Sequence, residues 1–225
     1  TNQKFGVSAL GLKRVLGLGS YETAWSWMHK LRRAMVRPGR DLLNGQVEVD
    51  ESYIGGEEEG ASGRFTKRKA LVVIAIEVRQ PKGFGRVRLR RIPDASGACL
   101  MPFVQDVVST GSTIFTDGWS GYDGLENLGY AHQRKVVFGS GLAAHALLPG
   151  PHRIASLLKR WLLGTHQGAV SREHLDYYLD EYSFRFNRRT SKARGLLFHR
   201  LMEQAVLTEP VPYACIVQDV GRGVR

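Results

Sequence analysis

Nine consecutive residues, Ala70 to Val78 (ALVVIAIEV), carry one charge among apolar and mostly β-branched side chains. A run of that kind is typical of a central buried strand, which needs a strand on either side of it. The flanking sequence supplies candidates. Gln46 to Tyr53 (QVEVDESY) alternates and is followed by the break Gly55–Gly56, and Arg86 to Ile92 (RVRLRRI) alternates with Val87 and Leu89 on one face and arginines on the other. Three strands in sequence with glycine-bearing connections predict an antiparallel meander.

Beyond the meander, Pro93 to Val108 reads as a helix, Thr113 to Thr116 (TIFT) as a fourth strand, Ser120 to Leu128 as a short helix and His132 to Phe138 as a fifth strand. Three apolar helical faces follow: Ile154, Leu157, Leu158, Trp161 and Leu162; then Leu175, Tyr178, Leu179, Tyr182 and Phe186; then Leu197, Phe198, Leu201 and Ala205. Leu207 to Arg225 has two prolines and no periodicity, and is expected to be irregular. Before the meander, Val7 to Leu16 predicts a short helix, Gly17 and Gly19 bracket a turn, and Ser20 can cap a second helix. That second helix has an apolar stripe of Tyr21, Ala24, Trp25, Met28, Leu31 and Met35, and Pro38–Gly39 ends the module. Two helices around a glycine turn with a basic outer face read as a helix-turn-helix or as a helical hairpin docked on the main domain.

The order β-β-β-α-β-α-β-α is that of the RNase H-like fold. The expectation is therefore an α/β protein: a mixed five-stranded sheet flanked by helices, with an N-terminal helix-turn-helix-like segment. Residues 1–44 form that segment, 45–206 the main domain and 207–225 the tail.

A length of 225 residues suits one full domain with a small appended element. Lys and Arg total 32 against 21 Asp and Glu, a formal charge of +11, which points to a polyanionic partner such as nucleic acid. The charge is concentrated at the two ends. Thr1 to Asn44 has eight basic and two acidic residues, and His152 to Arg200 has ten and four. The longest uncharged apolar stretches, 71–76 and 140–151, fall short of the roughly 18 to 20 residues that cross a bilayer, and the opening has no signal-peptide pattern, so no membrane partner is expected. The two cysteines, Cys99 and Cys215, lie in unrelated contexts and offer neither a disulfide framework nor a zinc knuckle, which suits a reducing cytoplasm.

Two carboxylates stand where chemistry would sit. Asp50 lies inside the first strand (VEVDESYIGG), where an acid is costly without a partner, and Asp117 directly follows the fourth strand (IFTDGWSGYDGL). In this topology the two strands are neighbours, so their carboxylates are placed to share a pair of Mg²⁺ ions. Taken alone, Asp117 before Gly118 also reads as a turn or cap residue. Glu48 shares the alternating face of Asp50, and Glu51 points to the other. On the helix that begins near His152, the residues His152, Ser156 and Lys159 align, roughly opposite the apolar stripe. That line faces either the metal site, with His152 a ligand and Lys159 on a phosphate, or solvent.

The blocks VEVDESYIGG, IFTDGWSGY, HRIASLLKRWLLGTHQGAV and HLDYYLDEYSFRFNRR resemble those of DDE-superfamily transposases of bacterial insertion sequences, and the similarity runs from about Gly6 to Val206. The branch is the one whose longer members carry an N-terminal zinc ribbon. The resemblance implies an RNase H-like catalytic domain that binds the element's terminal repeats and performs metal-dependent DNA strand cleavage and strand transfer. It implies two Mg²⁺ or Mn²⁺ ions, double-stranded DNA of the terminal repeats and the target as partners, self-association on DNA, and a place on the bacterial nucleoid. By position, the catalytic acids fall on Asp50 and Asp117, the third metal-binding position on His152, and the basic residue seven places later on Lys159. The third position is usually Glu in the superfamily, and some members of this branch use Asn or His. DNA contacts are expected from Lys30, Arg32, Arg33, Lys159, Arg160, Arg188 and Arg189. No cysteine cluster precedes Phe5, so the ribbon is expected to be missing by truncation or decay, and the alternative reading is a catalytically inactive remnant that only binds DNA.

Overall fold

A computed structural model describes residues 6–55, 69–135, 144–168 and 170–218. Residues Asp41–Arg160 form one compact unit; the chain before Asp41, with Trp161 onward, forms a second.

The first unit is built on a five-stranded sheet. Its strands are β1 (Gln46–Ile54), β2 (Ala70–Val78), β3 (Phe84–Ile92), β4 (Thr113–Thr116) and β5 (Ala131–Arg134), in the spatial order β3-β2-β1-β4-β5. β1 and β3 run antiparallel to β2, whereas β4 runs parallel to β1 and β5 parallel to β4. The meander is as the alternation predicts, and β2 is buried along nearly its whole length. The one charge in β2, Glu77, is buried because β3 answers it: Arg86 Nη2 lies 2.6 Å from Glu77 Oε1, and the Arg86 amide donates to Oε2 over 2.8 Å. Residues 136–138 of the expected fifth strand lie outside the described residues.

Strand alternation splits β1 between two jobs. Val47 and Val49 join Val73, Ala75, Leu100, Phe103, Val104 and Ile114 in the core under the helix α3 (Gly97–Val107). Glu48 and Asp50 point the other way. α3 starts four residues later than the apolar pattern suggests, because Asp94 Oδ1 accepts the Ser96 amide over 2.9 Å and holds the entry as a turn. The short helix expected over Ser120–Leu128 is instead two single 3₁₀ turns, Ser120–Tyr122 and Glu126–Leu128. Gly121 and Gly124 weaken a continuous helix there, by about 1 kcal/mol each relative to alanine. After α4 (Ala144–Leu147), the helix α5 (Pro149–His166) begins at Pro149, so His152 stands inside its first turn rather than at its start.

The second unit contains α1 (Ala9–Leu16), α2 (Tyr21–Ala34), α6 (Leu175–Asn187), α7 (Arg194–Val206) and α8 (Tyr213–Val217). Ser8 and Ser20 cap the first two helices, with Ser8 Oγ accepting the Gly11 amide at 3.1 Å and Ser20 Oγ the Thr23 amide at 3.4 Å. Gly17 closes α1 at φ 65°, a conformation that glycine adopts without strain. α2 touches α1 on one side and α6, α7 and α8 on others, so it is buried well beyond its apolar stripe. Inside that wrap, Arg32 Nε meets Glu181 Oε2 at 2.8 Å, Arg185 Nε meets Glu181 Oε1 at 2.8 Å, and the Arg32 guanidinium stacks on Tyr178 at 4.1 Å. The tail is less irregular than expected: α8 forms and buries Ile216, whose carbonyl accepts from His174 Nε2 over 3.0 Å. The last seven residues lie outside the described residues.

Candidate active site

The β1–β4 register decides where the two acids stand. Gln46, Val47 and Glu48 pair with Thr113, Ile114 and Phe115. Carried two residues further, the same register sets Asp50 level with Asp117, the residue that directly follows β4. Asp50 is largely buried, with 16% of its side chain exposed. Burial, then the Glu51 charge, then Asp117 push its carboxyl up to about 7, against the opposing pull of the Glu51 amide on Oδ1 at 2.8 Å. Asp117 is fixed by its own loop, since its Oδ1 accepts the Trp119 amide over 3.0 Å while Trp119 Nε1 donates to the Ala95 carbonyl over 2.6 Å.

α5 brings the third group. His152 Nε2 lies 3.7 Å from Asp50 Oδ2, with 41% of the histidine side chain exposed. Lys159 stands two turns further along α5, roughly 10 Å from His152 by helix rise. Its ammonium is held below the ordinary lysine value by partial burial and then by the charge of Lys69. Among the described residues, no group of three or more His, Cys, Asp and Glu side chains is assembled closely enough to hold a metal ion. The donors nevertheless fit a hard divalent cation in kind: two carboxylates and an imidazole, one carboxyl raised first by burial and then by neighbouring acids.

Two further acids frame the site. Glu51 Oε2 accepts the phenolic O–H of the buried Tyr122 at 2.8 Å, on the α3 side of the sheet. Glu48, on the Asp50 side, accepts the Gly150 amide at Oε2 over 2.8 Å and lies 3.4 Å from Lys135 Nζ through Oε1. Alternation gives their faces; nothing in the sequence gives their partners.

The basic residues divide. Lys30, Lys159, Arg160 and Arg189 are exposed and Arg188 is half-buried, with Arg188 and Arg189 stacked on Phe184 and Phe186 at 4.0 and 3.9 Å. Arg32 and Arg33 are buried, Arg32 with only 2% exposed, so the surface role that the charge pattern suggests for them does not hold. Their faces of α2 are covered, and Arg32 is neutralised by Glu181.

A mixed sheet of order β3-β2-β1-β4-β5, antiparallel on one side of the first strand and parallel on the other, is the RNase H-like fold. Residues 42–187 match the model of the ISXO2-like transposase domain, well over half of the chain, and the chain belongs to that family of insertion-sequence transposases in the DDE superfamily. It is 29% identical over 181 residues to a protein of the transposable element ISH50 from Halobacterium salinarum, covering 74% of this chain and 60% of that protein. It is 24% identical over 116 residues to a transposase-like protein of Haemophilus influenzae, covering 52% of this chain and 93% of that one. The chain thus spans about 60% of the length of the ISH50 relative. Among solved structures, the catalytic core domain of BIV integrase superposes with a TM-score of 0.41 at 12% identity, over 73% of this chain and 97% of that one. The Mos1 transposase paired-end complex with the left transposon end gives 0.39 at 14% identity, over 80% and 62%. No helix among the described residues is long and apolar enough to cross a membrane.

Proposed function

We propose that this chain cuts and joins DNA strands as a metal-dependent transposase, with Asp50, Asp117 and His152 as the metal-binding group. The observation that carries this reading is the β1–β4 register, which ends at Glu48 opposite Phe115 and, continued by two residues, brings Asp50 level with Asp117, together with the burial and neighbouring acids that push Asp50 up to about 7. A divalent ion, Mg²⁺ or Mn²⁺ and two in the full reaction, supplies the charge that activates a water or a 3′-hydroxyl and stabilises the leaving oxygen. The protein's own contribution is to present carboxylates from a rigid sheet and an imidazole from the first turn of α5. His152 serves as a neutral donor where most of the superfamily has a carboxylate, so one negative charge fewer faces the ions. Lys159 is assigned to DNA phosphate, outside the metal group. With Lys30, Arg160, Arg188 and Arg189 it supplies sequence-independent attraction for the terminal repeats and the target, on which the chain self-associates. The work is done in the cytoplasm, on the nucleoid.

The test is nicking of supercoiled plasmid in Mg²⁺ or Mn²⁺, followed by joining of a labelled 3′ end to target DNA. Nicking by the wild type that disappears in Asp50→Asn supports the reading. Binding of DNA with no metal-dependent nicking by the wild type reduces the chain to a DNA-binding remnant.

A further inference from the structure

We infer that Glu48 is a positioning residue: its carboxylate receives the N-terminus of α5 and thereby sets His152 against Asp50. The inference rests on the metal-site reading above for its functional consequence, and on geometry alone for its structural part. Glu48 is 3% exposed in the middle of β1, on the face of Asp50 and two residues before it. A buried carboxylate without partners is strongly disfavoured, more so than an unpaired neutral polar group. Both its oxygens are engaged. Oε2 accepts the Gly150 amide at 2.8 Å, and Oε1 faces the Lys135 ammonium at 3.4 Å. An acid so held is a poor candidate for a metal ligand despite sharing the face of Asp50.

The amide it takes is one that the helix itself cannot satisfy. Gly150 follows Pro149 in the first turn of α5, where backbone N–H groups have no intrahelical acceptor. A cap normally comes from the residue before the helix. Here that residue is Leu148, which offers no side-chain acceptor, and the acceptor comes instead from a strand 102 residues earlier. The negative charge also complements the positive end of the helix dipole. Glycine is required at the contact by space. A Cβ at position 150 would stand 2.7 Å from Glu48 Oε2, 2.7 Å from Ile76 Cγ2 and 3.0 Å from Phe84 Cε1. Two residues beyond Gly150 comes His152, at 3.7 Å from Asp50, itself two residues beyond Glu48. The same turn of α5 thus meets the same strand twice, hydrogen-bonded through the Gly150 amide and brought near Asp50 through the imidazole.

The experiment compares Glu48→Gln, which keeps an acceptor of the same length, with Glu48→Ala, which removes it, in the whole chain. Three readouts are taken: amide exchange of Gly150 and the His152 ring resonances in metal-free protein, and Mn²⁺ affinity. In Glu48→Ala, Gly150 protection should fall at least about tenfold, the loss expected for a bond to a charged group. The His152 resonances should shift, and Mn²⁺ affinity should fall about as far as in His152→Ala. The double variant Glu48→Ala/His152→Ala should then bind Mn²⁺ no more weakly than His152→Ala alone, because the two act on one contact. Glu48→Gln should retain Gly150 protection and the His152 resonances. A Glu48→Gln protein that loses Mn²⁺ affinity with Gly150 still protected would make Glu48 a ligand and overturn the inference, even if Glu48→Ala does not fold. Unchanged Gly150 exchange in Glu48→Ala would overturn it as well. His152→Ala binding Mn²⁺ like wild type would instead overturn the metal-site reading, leaving the helix-positioning result to stand on the exchange and resonance data.

Discussion

Tyr122 donates its phenolic hydrogen to Glu51 Oε2 across 2.8 Å, and so ties the loop that follows Asp117 to the residue that follows Asp50. The tyrosine is fully buried, and burial followed by the Glu51 charge keeps its phenol protonated far above neutral pH. Tyr122→Phe keeps the ring in the core and removes the donor. It should cost about 1 to 3 kcal/mol in urea unfolding, the penalty for a partly buried carboxylate left without its hydrogen bond. Metal-dependent nicking should drop more than the stability loss explains, because the two acid-bearing segments lose their link.

Replacing the proposed catalytic acids should abolish activity, and at Asp50 the same change should raise stability. Asp50→Asn and Asp117→Asn should each lower nicking by several orders of magnitude. Metal-free Asp50→Asn should be more stable than wild type at pH 8. The folded-state value of about 7 lies above the ordinary aspartate value of 3.8, so the native protein holds the proton more tightly. The stability contributed by that proton is present below about pH 4 and is lost as pH rises through 7. The difference in Tm between Asp50→Asn and wild type should grow across that window and vanish when Mn²⁺ is added to the wild type. A difference independent of pH would contradict the assignment.

Positive charge in α2 acts in two ways that a salt titration separates. Lys30 is exposed, and Lys30→Ala should reduce the slope of log K against log salt for duplex DNA by about 1 with no change in Tm. Arg32→Met leaves Glu181 with only Arg185 and should cost about 3 to 5 kcal/mol of stability, the penalty for breaking a buried pair from one side. Equal Tm values for the two variants would show that the Arg32 pair contributes nothing.

His166 gives the helical unit its own acid sensitivity. Burial, with the Arg32 charge adding to it, lowers its value to about 4, and its Nε2 is buried with no hydrogen-bond partner among the described residues. The native state favours the neutral ring, so stability is fully present above about pH 6.5 and declines as pH falls towards 4. His166→Phe, a ring of similar size, should flatten the Tm profile between pH 4 and 6.5. A variant as acid-sensitive as wild type would assign the effect elsewhere.

The sheet was legible because its strands obey period two, and the β-branched run over Ala70–Val78 admits few alternatives. Asp50 was legible for the same reason, as a charge interrupting that pattern. Arg32 was not. Periodicity counts a charge as outward, and it is the pair with the distant Glu181, with the stack on Tyr178, that lets this arginine face inward. The role of Glu48 was hidden likewise, since its partners are a backbone amide and a lysine 102 and 87 residues away. Asp117 was correctly placed at the strand end, but the turn that holds it and the 3₁₀ geometry after it depend on Ala95 and Trp119, which no local propensity couples. The helix α8 escaped because five residues between prolines and a polar tail carry too little pattern; its place is fixed by the contact with His174.

The alternation along β1 also bears on how such a gene tolerates damage. Odd positions 47 and 49 fill the core under α3, while even positions 48 and 50 hold the helix and the reacting group. Point substitutions at any one position disturb one function at a time. A single-codon insertion or deletion between Gln46 and Asp50 would exchange the two sets, sending the acids into the core and the valines toward α5. Length polymorphism in this stretch should therefore mark dead copies more reliably than any single changed residue.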